Sequence, residues 1–412
     1  MGDLHSPRHS AGSNCADMKF KNFPIYRIEW VTSIFLIGTA LLSLTVVPWF
    51  LWTQYHLPVD AVNKVHGWGF VWALFIFYYY ATGFGITLGY HRLFSHLSFK
   101  AKWPVKLFVL LFGAASFENS AHDWSADHRI HHKHVDEDED PYDISKGFFY
   151  AHIGWLLFRL KPPTPVNNVK DLEADPLVMW QHRYVQWIGA FVGFVMPAVL
   201  GYGFAVFNGY TNPGMTALAA FLIAGLLRTV IVQQGTFCIN SLCHMIGRQP
   251  YSTSHSARDS GAVALLTFGE GYHNYHHEFQ HDYRNGVKAW QFDPTKWIIW
   301  TLSKLGLTED LRRVPDTRIM AAELKEKSLT LGRDIDSLAA RLDARTRELK
   351  AKTIAAAHEL AKELATRAES LKEAAATKAE VGHETLSELR GLLNQAANYL
   401  ETLRRADAGS AA

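Results

Sequence analysis

The sequence predicts an all-α integral membrane protein. Four transmembrane helices form two hairpins, a cytoplasmic helical domain caps them, and a long helical extension follows at the C-terminus. Three observations predict this: four long apolar segments, three histidine clusters on one side of them, and a polar, Ala-rich last quarter. The expected divisions are a polar leader at 1–24, a membrane domain at 25–314 and the extension at 315–412.

A helix crosses a bilayer with about 20 apolar residues. Segments 31–52, 67–89, 186–207 and 216–239 reach that length. The fourth carries Arg228, Gln233 and Gln234, which are expected to face protein rather than lipid. A fifth apolar run, 105–117, is short for a span and fits a helix lying at the interface or dipping in. Loop charge sets the sidedness. Loop 53–66 holds one Lys and no Arg, and loop 208–215 has no charged residue. The leader, the 90–185 loop and the C-terminal region carry nearly all the Lys and Arg. The positive-inside rule then places both termini and the large loop in the cytoplasm.

Composition narrows the class. A net charge of +2 gives no strongly basic field, which argues against a nucleic-acid partner. Cys15, Cys238 and Cys243 are odd in number and fit no zinc motif, so a reducing, cytoplasm-facing setting is expected. The N-terminal residues are polar and lack an apolar h-region, so no cleaved signal peptide is expected.

The charge rule gathers the histidine clusters on the cytoplasmic side. His91 and His96 form HRLFSH directly after the second span. His128, His131 and His132 form HRIHH, and His273, His276 and His277 form HNYHH. In a helix, positions i, i+3 and i+4 share a face, so each HxxHH aims three imidazoles at one point. Clustered imidazoles repel if protonated, whereas neutral ones ligate a cation. Eight ligands exceed what one tetrahedral ion needs, so a di-metal site is expected. Imidazole suits Zn, Cu, Fe and Ni, which leaves the metal open at this point.

The stretches GITLGYHRLFSHLSFKA, DWSADHRIHHKH, GFFYAHIGWLLFR, NSLCHMIGRQPY and GEGYHNYHHEFQHDYRNG resemble the membrane-bound fatty-acyl desaturases of the stearoyl-CoA (Δ9) type. The resemblance runs from about residue 30 to 314. It implies a ninth ligand, His244, and a water-mediated contact from Asn240. It implies two Fe2+ ions, O2 as co-substrate and a cis double bond, at Δ9, in a saturated acyl chain. The electrons would come from a ferredoxin-, rubredoxin- or b-type-cytochrome-like protein with its reductase. The substrate-facing residues it implies are Trp124, Asn119, Glu118, Thr236 and Phe237. Animal members usually carry tryptophan at Phe237, glutamine at Glu118 and arginine at Ala126. The missing arginine leaves an acyl-lipid substrate as the alternative to acyl-CoA, with Lys161 and Lys170 as candidate substitutes.

Ligating imidazoles usually donate their other N–H to an acid. Asp127, Asp123 and Glu270 are placed for this, and the resemblance favours Asp127. The acidic run DEDED at 136–140 reads as a solvated loop, and His122, His134, His152, His182, His255 and His281 read as surface or supporting residues. In the extension, Leu331, Ile335, Leu338 and Leu342, then Leu386, Leu389, Leu393, Ala396, Leu400 and Leu403, form heptad-like seams. A helical hairpin or coiled coil for self-association is expected there. The tail has no heme-type His-Pro-Gly-Gly segment, so the electron donor is expected to be a separate protein. A di-iron hydroxylase is the nearest rival function. A zinc hydrolase or a membrane scaffold leaves the histidine count unexplained.

Overall fold

A computed structural model describes residues 27–160, 166–341 and 344–377, with scattered positions between 385 and 405. The leader at 1–24, Cys15, Lys161 and the seam positions Leu342, Leu386, Leu393, Leu400 and Leu403 lie outside the described residues.

Among the described residues, four helices are long and apolar enough to cross a membrane. The first, α1 (Trp30–His56), is inverted relative to a helix in water. Its buried face includes Ser33, Thr39, Ser43 and Gln54. Its exposed face carries Val31, Ile34, Leu41, Leu44, Trp49 and Trp52. Lipid tails cover such an apolar face, while small polar residues let helices approach closely.

The second, α2 (Trp68–Ser95), changes winding part-way. Its last stretch, Gly85–Ser95, is a π-helix with every residue buried. Gly85 and Gly89 face α3 (Trp103–Ala114), the short fifth apolar run. A Cβ at either glycine would collide with Gly113 or Val109. Such wide turns recur at functional sites, and this one carries His91.

Helix α4 (Ala121–Lys133) holds the second histidine cluster. Ser120 caps it by accepting from Asp123 N at 3.1 Å, which satisfies one of the helix's free amides. Helix α5 is Pro176–Phe207 and α6 is Pro213–His244. All three later boundaries exceed the apolar windows: α2 passes 89, α5 begins at Pro176 rather than 186, and α6 runs to His244. An apolar window stops where side chains turn polar, but the backbone ladder does not. The polar ends of these helices supply the histidines and the groups that hold them.

Of Arg228, Gln233 and Gln234 on α6, the first two face protein, as expected. Arg228 donates to Ala115 O at 2.7 Å and Gly193 O at 2.9 Å. Gln233 donates to Ser116 O at 3.1 Å. Gln234 departs from the expectation: it is exposed and bonds the ring of His152.

Beyond α6 come α7 (His273–Glu278) and α8 (Pro294–Lys304). A two-residue antiparallel ladder, Lys100–Ala101 with Thr308–Glu309, ties the start of α3 to the chain after α8. The extension contains α9 (Asp316–Arg341) and α10 (Ala344–Ala376). Leu324, Leu331, Ile335 and Leu338 of α9 share a core with Leu360, Leu364 and Leu371 of α10 and with Leu389 and Ala396. The described seam positions therefore close on the chain's own helices.

Candidate metal centre

The nine predicted histidines converge from α2, α4, α6 and α7. They form two groups whose candidate ligand atoms lie within 4.8 Å of one another. One holds His91, His96, His128, His132 and His276; the other holds His131, His244, His273 and His277. In the first, Nε2 of His276 stands 2.9 Å from that of His91 and 3.0 Å from that of His132. His96 and His128 approach to 2.9 Å through the same atoms. In the second, Nε2 of His273 lies 3.1 Å from those of both His244 and His277. The Nε2 atoms of His131 and His277 are 3.3 Å apart.

These contacts decide whether a cation fits. Burial, followed by the charge that neighbouring rings would carry, pushes His96, His128, His132, His273, His276 and His277 well below the ordinary histidine range. The rings are therefore neutral, with one N–H each. Several Nδ1 atoms have outside partners. Asp140 lies 2.9 Å from that of His131, Ser256 Oγ 2.7 Å from that of His244, and Tyr142 OH 3.2 Å from that of His128. With the proton on Nδ1, the Nε2 lone pairs point at each other across about 3 Å. That arrangement is repulsive unless a positive ion lies among them. The donor set fits two metal ions.

Of the three acids nominated as supports, only Glu270 reaches a ring of the centre. Its Oε2 is 3.0 Å from His91 Nδ1, a close contact rather than an aligned hydrogen bond. Burial alone would raise this carboxyl, but Arg92 and His91 outweigh it and hold it down to about 2. Asp127 makes no hydrogen bond to a ring and instead lines a cavity; burial, then Asp123, pushes its carboxyl up to about 6. Asp123 bonds His122 at 2.8 Å.

The reading of 136–140 as a solvated loop is corrected. Asp140 is buried against His131, and Asp136 accepts from both the amide and hydroxyl of Ser256. Only Glu137, Asp138 and Glu139 between them are exposed. No periodicity links Asp140 to a histidine nine residues earlier; the chain reversal after α4 makes the pair. His281, also read as bland, lies with Nδ1 2.9 Å from the carbonyl oxygen of His96.

A cavity of about 520 Å³ opens beside the centre. His91 and His128 reach it, as do Asn240 and all five nominated substrate residues: Glu118, Asn119, Trp124, Thr236 and Phe237. Its apolar wall includes Phe35, Leu36, Ile86 and Phe117. Trp124 stacks on His128 with ring centroids 4.7 Å apart.

Residues 66–307 match the family model for fatty acid desaturases. The chain belongs to the fatty acid desaturase family. It is 43% identical over 261 residues to a probable acyl-CoA desaturase of Schizosaccharomyces pombe, covering 63% of this chain and 52% of that protein. It is 42% identical over 254 residues to acyl-CoA desaturase 1 of Saccharomyces cerevisiae, covering 61% and 48%. With the stearoyl-CoA desaturase of Homo sapiens it shares 36% identity over 256 residues, covering 61% and 69%. The chain thus spans about half the length of the two yeast desaturases.

The family match takes in every histidine of the two groups and ends before α9. Two positions where this chain departs from animal members of the family have structural settings. Ala126 is buried at 1% exposure, and its carbonyl accepts from Asn168. Phe237 is buried between the cavity and a cluster with Leu36 and Leu157.

Proposed function

We propose that the chain is an oxygen-dependent, di-iron fatty-acyl desaturase that makes a cis double bond, at Δ9, in a saturated acyl-CoA. One observation carries this reading: two adjoining groups of clustered imidazoles lie beside a largely apolar cavity that His91 and His128 reach. The printed names of its relatives supply the acyl-CoA class. Two iron ions held by the nine histidines would supply O2 activation and hydrogen abstraction from an unactivated CH2. Asn240, on the cavity wall four residues before His244, is placed to hold a water near the second group.

The protein's own part is positioning. Trp124 and Phe237 confine the chain beside His91 and His128, so that one stretch of it faces the centre. The apolar wall keeps water out of the reaction. The four long helices are read as two hairpins, with both termini and the centre on the cytoplasmic side by the charge rule. A separate electron-transfer protein would dock on that side. The described seam residues of the extension are used within one chain, so a second copy would have to use another surface.

Expression in a host that lacks its own desaturase tests the function. The expected result is new monounsaturated lipid with a cis bond at one position, and acyl-CoA as the first class labelled. Alcohol in place of alkene would sink the reading, and label entering intact phospholipid first would move the substrate to an acyl-lipid.

Glu118 gives this tunnel a pH dependence. It accepts from Thr236 Oγ1 at 2.7 Å. Burial pushes its carboxyl up to about 8 against the bonds from Thr236 and Trp124. At neutral pH it is protonated and uncharged; above about 8 it ionises in an apolar wall, which opposes an acyl chain. The KM for the acyl substrate is expected to rise as pH passes 8, and E118Q to flatten that rise. The folded carboxyl holds its proton more tightly than the unfolded one. Stability therefore falls as pH rises from the ordinary glutamate range to about 8, and E118Q removes that slope too. An unchanged KM profile in E118Q would exclude Glu118 as the group responsible.

A further inference from the structure

The C-terminal extension lies outside the family match, yet its first helix touches the metal centre's support. Ile319 of α9 is buried against Tyr275 and Phe279, beside His276 and His277. The guanidinium of Arg318 sits over the ring of Phe279 at 5.7 Å. Further along α9, Glu326 is 5% exposed. One of its oxygens accepts from the backbone N–H of Thr253 at 3.0 Å. The other accepts from Arg333 at 3.3 Å and Thr330 at 3.4 Å. Burying a carboxylate is costly without such partners, so its place here fixes both ends of the contact.

The segment that Glu326 holds is itself wired to the four-histidine group. Asn274, between His273 and His276 on α7, accepts from Tyr251 N and donates to Ser252 O and Ala257 O. Ser256 bonds the Nδ1 of His244. His255 lies over His277 with ring centroids 5.2 Å apart. Residues 251–257 are thus gripped on one side by α7 and on the other by α9, and they bear on His244 and His277.

We propose that α9 is a strut for the four-histidine half of the centre, with Glu326 as the positioning residue that sets the 251–257 segment, and through Ser256 the ring of His244. The five-histidine half depends on it less directly: only His276 of its five rings comes from α7, and neither Glu326 nor Ser256 bonds any of them. This inference rests on the two-metal reading above.

The test uses the full-length, metal-loaded protein, comparing wild type, E326A and E326Q. Two quantities are read: the rate at which each ion is lost to a chelator, and amide exchange over 251–257. In E326A one ion is expected to leave about tenfold faster or more, with the other far less affected and exchange accelerated over 251–257. E326Q keeps an oxygen that accepts from Thr253 and is expected to restore both. Equal acceleration of both ions would mean general loosening and overturn the strut. So would unchanged exchange over 251–257, whatever the metal count. A wild type that binds a single ion defeats the two-metal reading, and the exchange comparison then still decides the role of Glu326. If E326A does not accumulate, E326D, whose carboxylate is one methylene short, is expected to show the same selective loss in graded form; equal loss of both ions there overturns the proposal.

Discussion

On the proposed di-iron reading, His276→Ala is expected to cost the protein one ion and to bring alkene formation below detection. His276 is central to the five-histidine group, with its Nε2 near those of both His91 and His132. Removing it leaves four rings where five converge and opens a gap on the side facing the other group through His273 and His277. Losing a group that merely supports a ligand typically costs 10–100-fold in metal affinity or activity, so loss of a ligand itself is expected to exceed that. The check is metal analysis of purified protein together with lipid profiling of the expressing host. Two ions retained with normal unsaturation would remove His276 from the centre. His134→Ala is the control: its ring bonds the exposed Glu137, and both measures should stay at wild-type values.

Arg92→Ala is expected to be the most destabilising single change in this region. Arg92 is 1% exposed, and its NH2 lies 2.8 Å from Glu270 and 3.0 Å from Asp293. Its NH1 also donates to the carbonyl of Tyr283 at 2.8 Å. Truncating it leaves two buried carboxylates without their cation. Breaking a buried ion pair by removing one partner costs about 3–5 kcal/mol. Because Glu270 also touches His91, the loss should spread to the five-histidine group. Thermal melting in detergent checks the first effect and metal content the second. A melting temperature within a degree or two of wild type would mean that Arg92 does not carry this network.

Much of the site could be read from the chain before its structure, because helical spacing is a local property. His128, His131 and His132 share a face of α4 by arithmetic alone, and the same holds for the third cluster; but the three rings do not meet at one point, since His131 joins the four-histidine group and His276 the five. His244 was different: a lone histidine needed the NSLCH resemblance to separate it from ordinary core histidines. The supports were less legible. Asp127 neighbours a cluster in sequence yet turns to the cavity, while Asp140, Ser256 and Tyr142 reach the rings only after the chain reverses. Glu326, eighty-two residues beyond His244 in the numbering, reports on nothing until α9 folds back. The helix ends were illegible for a related reason. Apolarity marks where lipid ends, and these helices continue past that level to build the centre.

The π-wound end of α2 explains a spacing that otherwise looks misfit. In an ordinary α-helix, two residues five apart point about 140° away from each other, so His91 and His96 would diverge. The wider turn bonds residue i to i+5, and the amide of His96 does bond the carbonyl of His91, at 3.1 Å. Five residues then make little more than one turn, and both rings fall into the same group with centroids 4.7 Å apart. The four intervening residues of HRLFSH are thus a measure of local winding. Losing one of them would shift the phase of everything downstream, so a one-residue excision that spares Arg92 should still part the two rings.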